Sequence, residues 1–381
     1  MKIAVFDLLV YLLYFSLFKA YFIPEVVRQT VKIATLVMVA VFSINRLKRK
    51  DIFNGSLLFS ACIISSGLYN YILSSYTMKA LLDTLLYALT FYDLYTLFLY
   101  AYRSEKTKQL GCDLYRMNLI YCLLTIVSVL FVGVDNNSNV SAYLFGNKFT
   151  SSYLFISLIA LYGLTHDMRF RKYKYMWLAL VVFGCVFTIH VGCATATVSL
   201  IVAVLLFSLE KMKNGQIIQN PFVVIGVLII TATIPFVINA VLKNNFVNYI
   251  IFDVFHRSTT VYGRFEIYNN YLYRLLQNKF WMGYGYSSGI MLSESGVFGN
   301  AQNGLLEQMM NFGMIGVIAI LVTIFCSLRK KKKLTYMVIL LYAMILAAIF
   351  EVTINWFFWI ALFSIQYLDE ENERKMINEN C

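Results

Sequence analysis

Charge is scarce in this chain. Only 14% of its 381 residues are Asp, Glu, Lys or Arg, against 60% hydrophobic. An ordinary soluble domain carries about a quarter charged residues, so the composition, with a mean hydropathy of +0.69, calls for a polytopic membrane protein. Paired cysteines are lacking as well. The seven Cys residues are scattered, mostly inside apolar runs, with no CxxC and no framework spacing. They read as small core residues rather than disulfides or zinc ligands. No DxD occurs, which speaks against a divalent metal holding a diphosphate, and HExxH, GxSxG and Walker sequences are missing too. No metal and no cofactor is expected. There is no internal repeat and no low-complexity tract. Behind MKIAVFDLLVYLLYFSLF no small-x-small cleavage site follows, and Asp7 interrupts the run, so this segment reads as a first span rather than a signal peptide. The formal charge of +12 reflects basic cytoplasmic loops, not a nucleic-acid partner.

What is present is a series of apolar runs. A span needs about 20 mostly apolar residues, and candidates fall at 3–22, 28–45, 56–74, 79–102, 115–134, 149–165, 175–192, 194–209, 222–242, 301–327, 334–349 and 351–367. The expected fold is all-α, a single polytopic domain over residues 1–381 with about twelve transmembrane helices. The tight pairs 175–192/194–209 and 334–349/351–367 are where the count is most easily off by one. With both termini cytoplasmic, the basic stretches at 46–50, 103–108, 166–174, 210–215, 329–333 and 373–375 all fall on one side, as the positive-inside bias requires.

The outer loops are then short, except for 243–300. A structureless loop of that length would be unusual, so it should fold and carry function. Within it, Phe265, Tyr268, Leu272 and Leu275 recur at helical spacing, with Tyr271 and Leu276 widening the stripe. This predicts an amphipathic helix over 264–278, suited to the membrane interface. Arg264 opens it, adding its charge to the positive helix N-terminus.

Four constellations follow. Arg257, Arg264 and Arg274, with Lys243 and Lys279, are either snorkelling cations or an anion site, since a guanidinium fork matches phosphate oxygens. WMGYGYSSG (281–289) lacks the spacing of a dinucleotide loop and reads as a tight turn. In GNAQNGLLEQMMNFGMIG (299–316), Gln302, Asn303 and Glu307 form either a polar helix start or a donor/acceptor set for sugar hydroxyls, and Gly313 and Gly316 allow close packing. Asp7, Asp83, Asp93, His190 and Glu351 are ionisable residues within the runs. Solvation alone explains Asp83 and Glu351 near outer ends, His190 reads as locally satisfied, and Asp93 is the deepest. Sequons at Asn136 and Asn139 matter only in a eukaryotic secretory pathway.

GRFEIY, then W-x-GYGYSSG, then QN-xx-LE ahead of a glycine-containing span, on one long outer loop near the C-terminal third, resembles the O-antigen polymerase and ligase superfamily. Within it, the oligosaccharide repeat-unit polymerases of capsule or O-antigen synthesis look most similar. The motifs cover roughly 255–320; the rest matches in architecture only. The resemblance implies a GT-C-like fold in the bacterial cytoplasmic (inner) membrane and metal-independent glycosyl transfer at the outer leaflet. It implies a polyprenyl-diphosphate-linked oligosaccharide as substrate, the lipid bilayer as surroundings, and flippase and chain-length regulator proteins as partners. It places the family's diphosphate-binding arginine on Arg264. Where the family's helix start has His-Asn this chain has Gln302-Asn303, and a glutamine cannot act as a base. The family's second arginine, in an earlier outer turn, is missing from HVGCATATVSL (190–200).

The expected activity is polymerisation of lipid-linked repeat units. Arg264, Arg257, Arg274, Gln302 and Asn303 would bind substrate, and Glu266, Glu307 and His256 are the candidate bases. The alternatives are a ligase acting on finished polymer, a flippase for the same lipids, and a structural or regulatory protein whose arginines only touch headgroups.

Overall fold

The computed structural model describes residues 5–18, 20–48, 55–73, 76–133, 143–213, 216–241, 264, 266–329 and 334–368. Among them there is no strand beyond one isolated bridge between Ala20 and Phe145. Each of the twelve apolar runs lies on a helix: α1 (Val5–Leu17), α2 (Glu25–Arg46), α3 (Gly55–Ile72), α4 (Met78–Arg103), α5 (Thr107–Val132), α6 (Lys148–Thr165), α7 (Arg171–His190), α8 (Ala194–Met212), α9 (Pro221–Val241), and, after three short elements, α12 (Gly304–Leu328), α13 (Met337–Ala347) and α14 (Trp356–Tyr367). The short elements are a π-helical turn Ile267–Leu272 that runs directly into α10 (Tyr273–Asn278), and α11 (Ile290–Ser295). Backbone groups out of reach of water must bond within their own segment, which selects helices.

Five helices, α2, α5, α7, α8 and α12, are by themselves long and apolar enough to cross a membrane. Their outward faces are bare and greasy. On α7, Tyr175, Leu178, Val182 and Val186 stand exposed, and on α5 Phe131 is 86% exposed. Apolar surface on that scale marks a membrane-embedded protein. Helices α6, α13 and α14 are instead buried all round and form the centre.

The contacts sort the connections into two groups. Tyr21 donates its amide to Leu144 O at 3.0 Å, Ser66 Oγ to Met282 O at 2.6 Å, and Asn70 Nδ2 to Gly283 O at 3.1 Å, which gathers segments predicted on the outer side. Segments predicted on the inner side meet through Lys211 Nζ to the Tyr336 hydroxyl (2.6 Å) and Tyr342 OH to Ile218 O (2.7 Å). Polar N-caps follow the same division: Thr77, Asn147, Asn303 and Asn355 accept the first free amides of α4, α6, α12 and α14.

The last pair departs from expectation. α13 has 11 residues and α14 has 12, each about 17 Å long, little more than half of a ~30 Å hydrocarbon core. The apolar window ran straight through 334–367, so the sequence suggested two full spans. The chain actually leaves the helix at Ala348 and re-enters at Trp356. The connection 348–355 is thereby sunk into the protein, with Glu351, Thr353 and Ile354 all buried.

α12 is broken at Gly313 (φ 66°, ψ −170°). The WMGYGY segment docks into the break. Tyr284 N donates to Met310 O and Gly285 N to Asn311 O, both at 2.8 Å, while Met314 N donates to Phe280 O at 2.8 Å. The glycines anticipated as a tight turn thus replace the missing helical bonds of α12, and Gly313 serves the break rather than helix packing.

The amphipathic stripe at 264–278 is also re-aimed. Tyr268, Leu272, Leu275 and Leu276 are buried against protein rather than open to lipid, and Phe265 lies outside the described residues. The exposed side carries Glu266, Asn270, Tyr273, Arg274 and Gln277.

Candidate functional site

The site is built from the start of α12 outward. Pro235 sits inside α9 and has no N–H, so the carbonyl four residues back, Thr231 O, lacks its helical partner. Asn303 Nδ2 donates to that carbonyl at 3.0 Å and to Ile349 O in the α13–α14 connection at 3.3 Å. Its Oδ1 meanwhile caps α12 by accepting Leu306 N at 3.1 Å. Gly304 N adds a bond to Ala348 O at 2.9 Å. Asn303, fully buried, is therefore a clamp joining α9, α12 and the hairpin tip, not a ligand for sugar hydroxyls. Asn303→Asp keeps the cap acceptor but loses both donors and sets a carboxylate against two carbonyls. It should cost ~2–4 kcal/mol, read as a fall in unfolding temperature of the detergent-solubilised protein. A substrate-facing Asn303 would tolerate the change.

Neighbouring residues are likewise engaged. Glu307 accepts Ala301 N at 2.8 Å on one oxygen and Asn311 Nδ2 at 3.2 Å on the other. It holds the approach to α12 and does not stand free as a base. Gln302 takes a left-handed backbone (φ 50°); its amide nitrogen donates to Asn300 Oδ1 at 2.9 Å and its carbonyl accepts the Tyr268 hydroxyl at 3.0 Å. Burial pushes the Tyr268 hydroxyl well above its ordinary range, with Arg264 pulling it down and Glu351 pushing it up.

Arg264 reaches across this clamp. Its Nη2 donates to Phe350 O at 3.1 Å and to Glu351 Oε1 at 3.0 Å, and the guanidinium lies 5.2 Å from the Phe350 ring centroid. Its Nε is buried without a hydrogen-bond partner, which leaves an unused donor on a charged group, a costly arrangement unless a ligand uses it. The Tyr153 hydroxyl, also buried and unpartnered, lies in the field of both Arg264 and Glu351. Cys193, in the turn between α7 and α8, feels Glu351 and Lys148, and burial pushes its thiol up, so it stays neutral. Four separate parts of the chain, the start of α6, the α7–α8 turn, Arg264 ahead of the helical segment Ile267–Asn278, and the hairpin tip, thus converge on one cation–anion pair.

The structure brings Arg264, Gln302 and Asn303 into this neighbourhood and separates others from it. Arg274 pairs with Glu294 at the exposed surface. Lys279 bonds to Asn70 and lies over the Tyr284 ring, tying α3 to the glycine turn. Glu266 is exposed, at the N-terminal edge of the Ile267–Leu272 turn, where a negative charge complements the helix dipole. His190 is exposed at the end of α7. His256, Arg257 and Lys243 lie outside the described residues. Asp93 is fully buried in α4, and neither carboxylate oxygen has a partner.

Glu351 is the correction of most consequence. Solvation was expected to account for it, yet it is only 9% exposed and paired with Arg264. The available signal was that 334–368 contains no other Asp, Glu, Lys or Arg, so a lone acid there needed a partner from elsewhere. Tyr153 and Lys148 gave no signal, because a tyrosine and a lysine at the mouth of an apolar run look like ordinary interfacial residues. No family model matches this chain, and neither curated proteins nor solved structures yield a match.

Proposed function

We propose that this chain is a glycosyltransferase that polymerises polyprenyl-diphosphate-linked oligosaccharide repeat units at the outer leaflet of a bacterial inner membrane. Its twelve helical runs would form a GT-C-like fold with both termini cytoplasmic and 243–300 outside, in the company of flippase and chain-length regulator proteins. The short motifs around Arg264, the glycine turn and Gln302–Glu307 supply the resemblance. The observation that carries the reading is Arg264: a part-buried guanidinium with an unused Nε, held by a carboxylate and a carbonyl at the tip of a sunken hairpin.

The chemistry is consistent with that residue. A diphosphate is a good leaving group, and its developing charge needs stabilisation more than it needs an acid. A guanidinium fork provides it without metal. The polyprenyl chain would lie along the apolar faces beside the site. A ligase reading is weaker because Gln302 offers no imidazole where that chemistry would want one.

The test replaces Arg264 and reads glycan length. Arg264→Ala, at normal membrane levels, should lower polymer formation ~100-fold or more with single lipid-linked repeats retained at the outer leaflet. Arg264→Lys keeps the charge but loses the fork, and should restore only short chains. Normal polymer in Arg264→Ala sinks the assignment, and repeats trapped at the cytoplasmic leaflet indicate a flippase instead.

A further inference from the structure

We propose that the Tyr153 hydroxyl is a second donor to the diphosphate, and that it and Arg264 Nε take the ligand together while the Arg264–Glu351 pair stays closed. The inference rests on the glycosyl-transfer reading above and adds a binding residue to its site.

Two buried donors in this neighbourhood are idle. Arg264 commits Nη2 to Phe350 O and Glu351 Oε1, and its Nε has no partner. Among the described residues it is the one buried cationic nitrogen without a hydrogen bond. Tyr153 is 2% exposed, and its hydroxyl has no partner either. The charges of Arg264 and Glu351 both act on that hydroxyl, yet it does not bond to the carboxylate. A buried polar group without a bond is costly, and folded chains keep few of them. Here two such donors, from α6 and from the segment ahead of Ile267, meet at one ion pair. An acceptor from outside the chain, with more than one oxygen to offer, accounts for both.

Both donors are fixed in advance. Asn147 caps α6 by accepting Phe149 N and Thr150 N, each at 3.1 Å, and Ser152 Oγ donates to Lys148 O at 2.7 Å. The Tyr153 ring packs edge-on against Phe357, with 6.2 Å between centroids. Its hydroxyl hydrogen needs only to rotate about the C–O bond to meet an incoming oxygen. Arg264 is steadied by Phe350 O and Glu351 through Nη2, which leaves Nε in place for a ligand. Donors set before the ligand arrives need no rearrangement when charge develops on it. A diphosphate has oxygens enough for each donor to take its own. Lys148, in the first turn of α6, adds positive charge nearby, since its field reaches Cys193 as that of Glu351 does.

The test uses the fact that this hydroxyl makes no bond within the chain. Tyr153→Phe removes it and keeps the ring against Phe357. The unfolding temperature of the detergent-solubilised protein should therefore stay at or above that of wild type. Binding should suffer instead. Affinity for undecaprenyl diphosphate, measured on full-length protein in phosphatidylcholine nanodiscs against undecaprenol, should fall ~10-fold. Glycan made in cells should shift to short chains and single repeats. Phosphatidylglycerol added to the nanodiscs should not displace the ligand from wild type.

A lower unfolding temperature in Tyr153→Phe, or its loss from the membrane, would give the hydroxyl a structural task and overturn the proposal. So would unchanged affinity, which leaves the diphosphate to Arg264 alone. Displacement by phosphatidylglycerol would assign the two donors to a lipid headgroup and overturn it as well. If wild type binds undecaprenyl diphosphate no better than undecaprenol, the diphosphate reading of the site falls, and the role of Tyr153 falls with it.

Discussion

Gly313→Ala should leave little correctly folded protein. The backbone there sits at φ 66°, ψ −170°, a region essentially reserved for glycine that costs other residues about 1–3 kcal/mol. Sterics add to this. A Cβ on Gly313 would run into the Trp281 carbonyl, and one on Gly283 would meet the Asn311 carbonyl and Gly313 N at 2.6 Å. These are backbone atoms on both sides, so no side chain can turn aside to make room. Separating the strand of chain at 280–285 from α12 would also release the bonds from Tyr284 N, Gly285 N and Met314 N. Together the strain, overlap and lost bonds should exceed ~4 kcal/mol, large against the usual ~5–15 kcal/mol of total stability. Gly289→Ala is the control. It too has positive φ (65°), but nothing lies within 4 Å of an added Cβ, so it should cost only about 1 kcal/mol. Membrane abundance and monodispersity after mild heating separate the two variants.

How the sequence carries the fold divides along the range of the forces involved. The helices are legible because burial in an apolar medium is a property of each run on its own, and the two-sided sorting of connections follows from where the basic loops lie. The α13–α14 hairpin was overestimated because hydropathy cannot see where a helix stops when the residues at the stop, Ala348, Ile349 and Phe350, are themselves apolar or small. The stripe at Tyr268, Leu272 and Leu275 was legible as a helix face, but periodicity does not say whether lipid or protein covers it. The site divides in the same way. Arg264 stood out because it opens the predicted helix and falls in the GRFEIY motif. Its partner Glu351 lies 87 positions away, and the carbonyl that Pro235 frees for Asn303 is 72 positions away. Pairings at that distance are made by the folded chain and leave no local pattern.

The exchange of the two charges separates a structural ion pair from a working one. Arg264→Glu alone would set a second carboxylate against Glu351, and Glu351→Arg alone would set a second guanidinium against Arg264. Both side chains are largely covered, at 19% and 11% exposure, so either single change should cost ~3–5 kcal/mol through an uncompensated part-buried charge. The double variant restores opposite charges across the same 3.0 Å gap and should recover most of that loss, to within about 1 kcal/mol of wild type once the Phe350 carbonyl and ring contacts are discounted. Polymerisation should not recover with it. The carboxylate would then sit where the proposed diphosphate is to be met, and would repel it. Folded, membrane-inserted double variant with only single repeats is the expected result, scored by thermal unfolding alongside glycan length. Recovery of long glycan together with stability would show that only the pairing matters, and would remove Arg264 from the chemistry proposed for it.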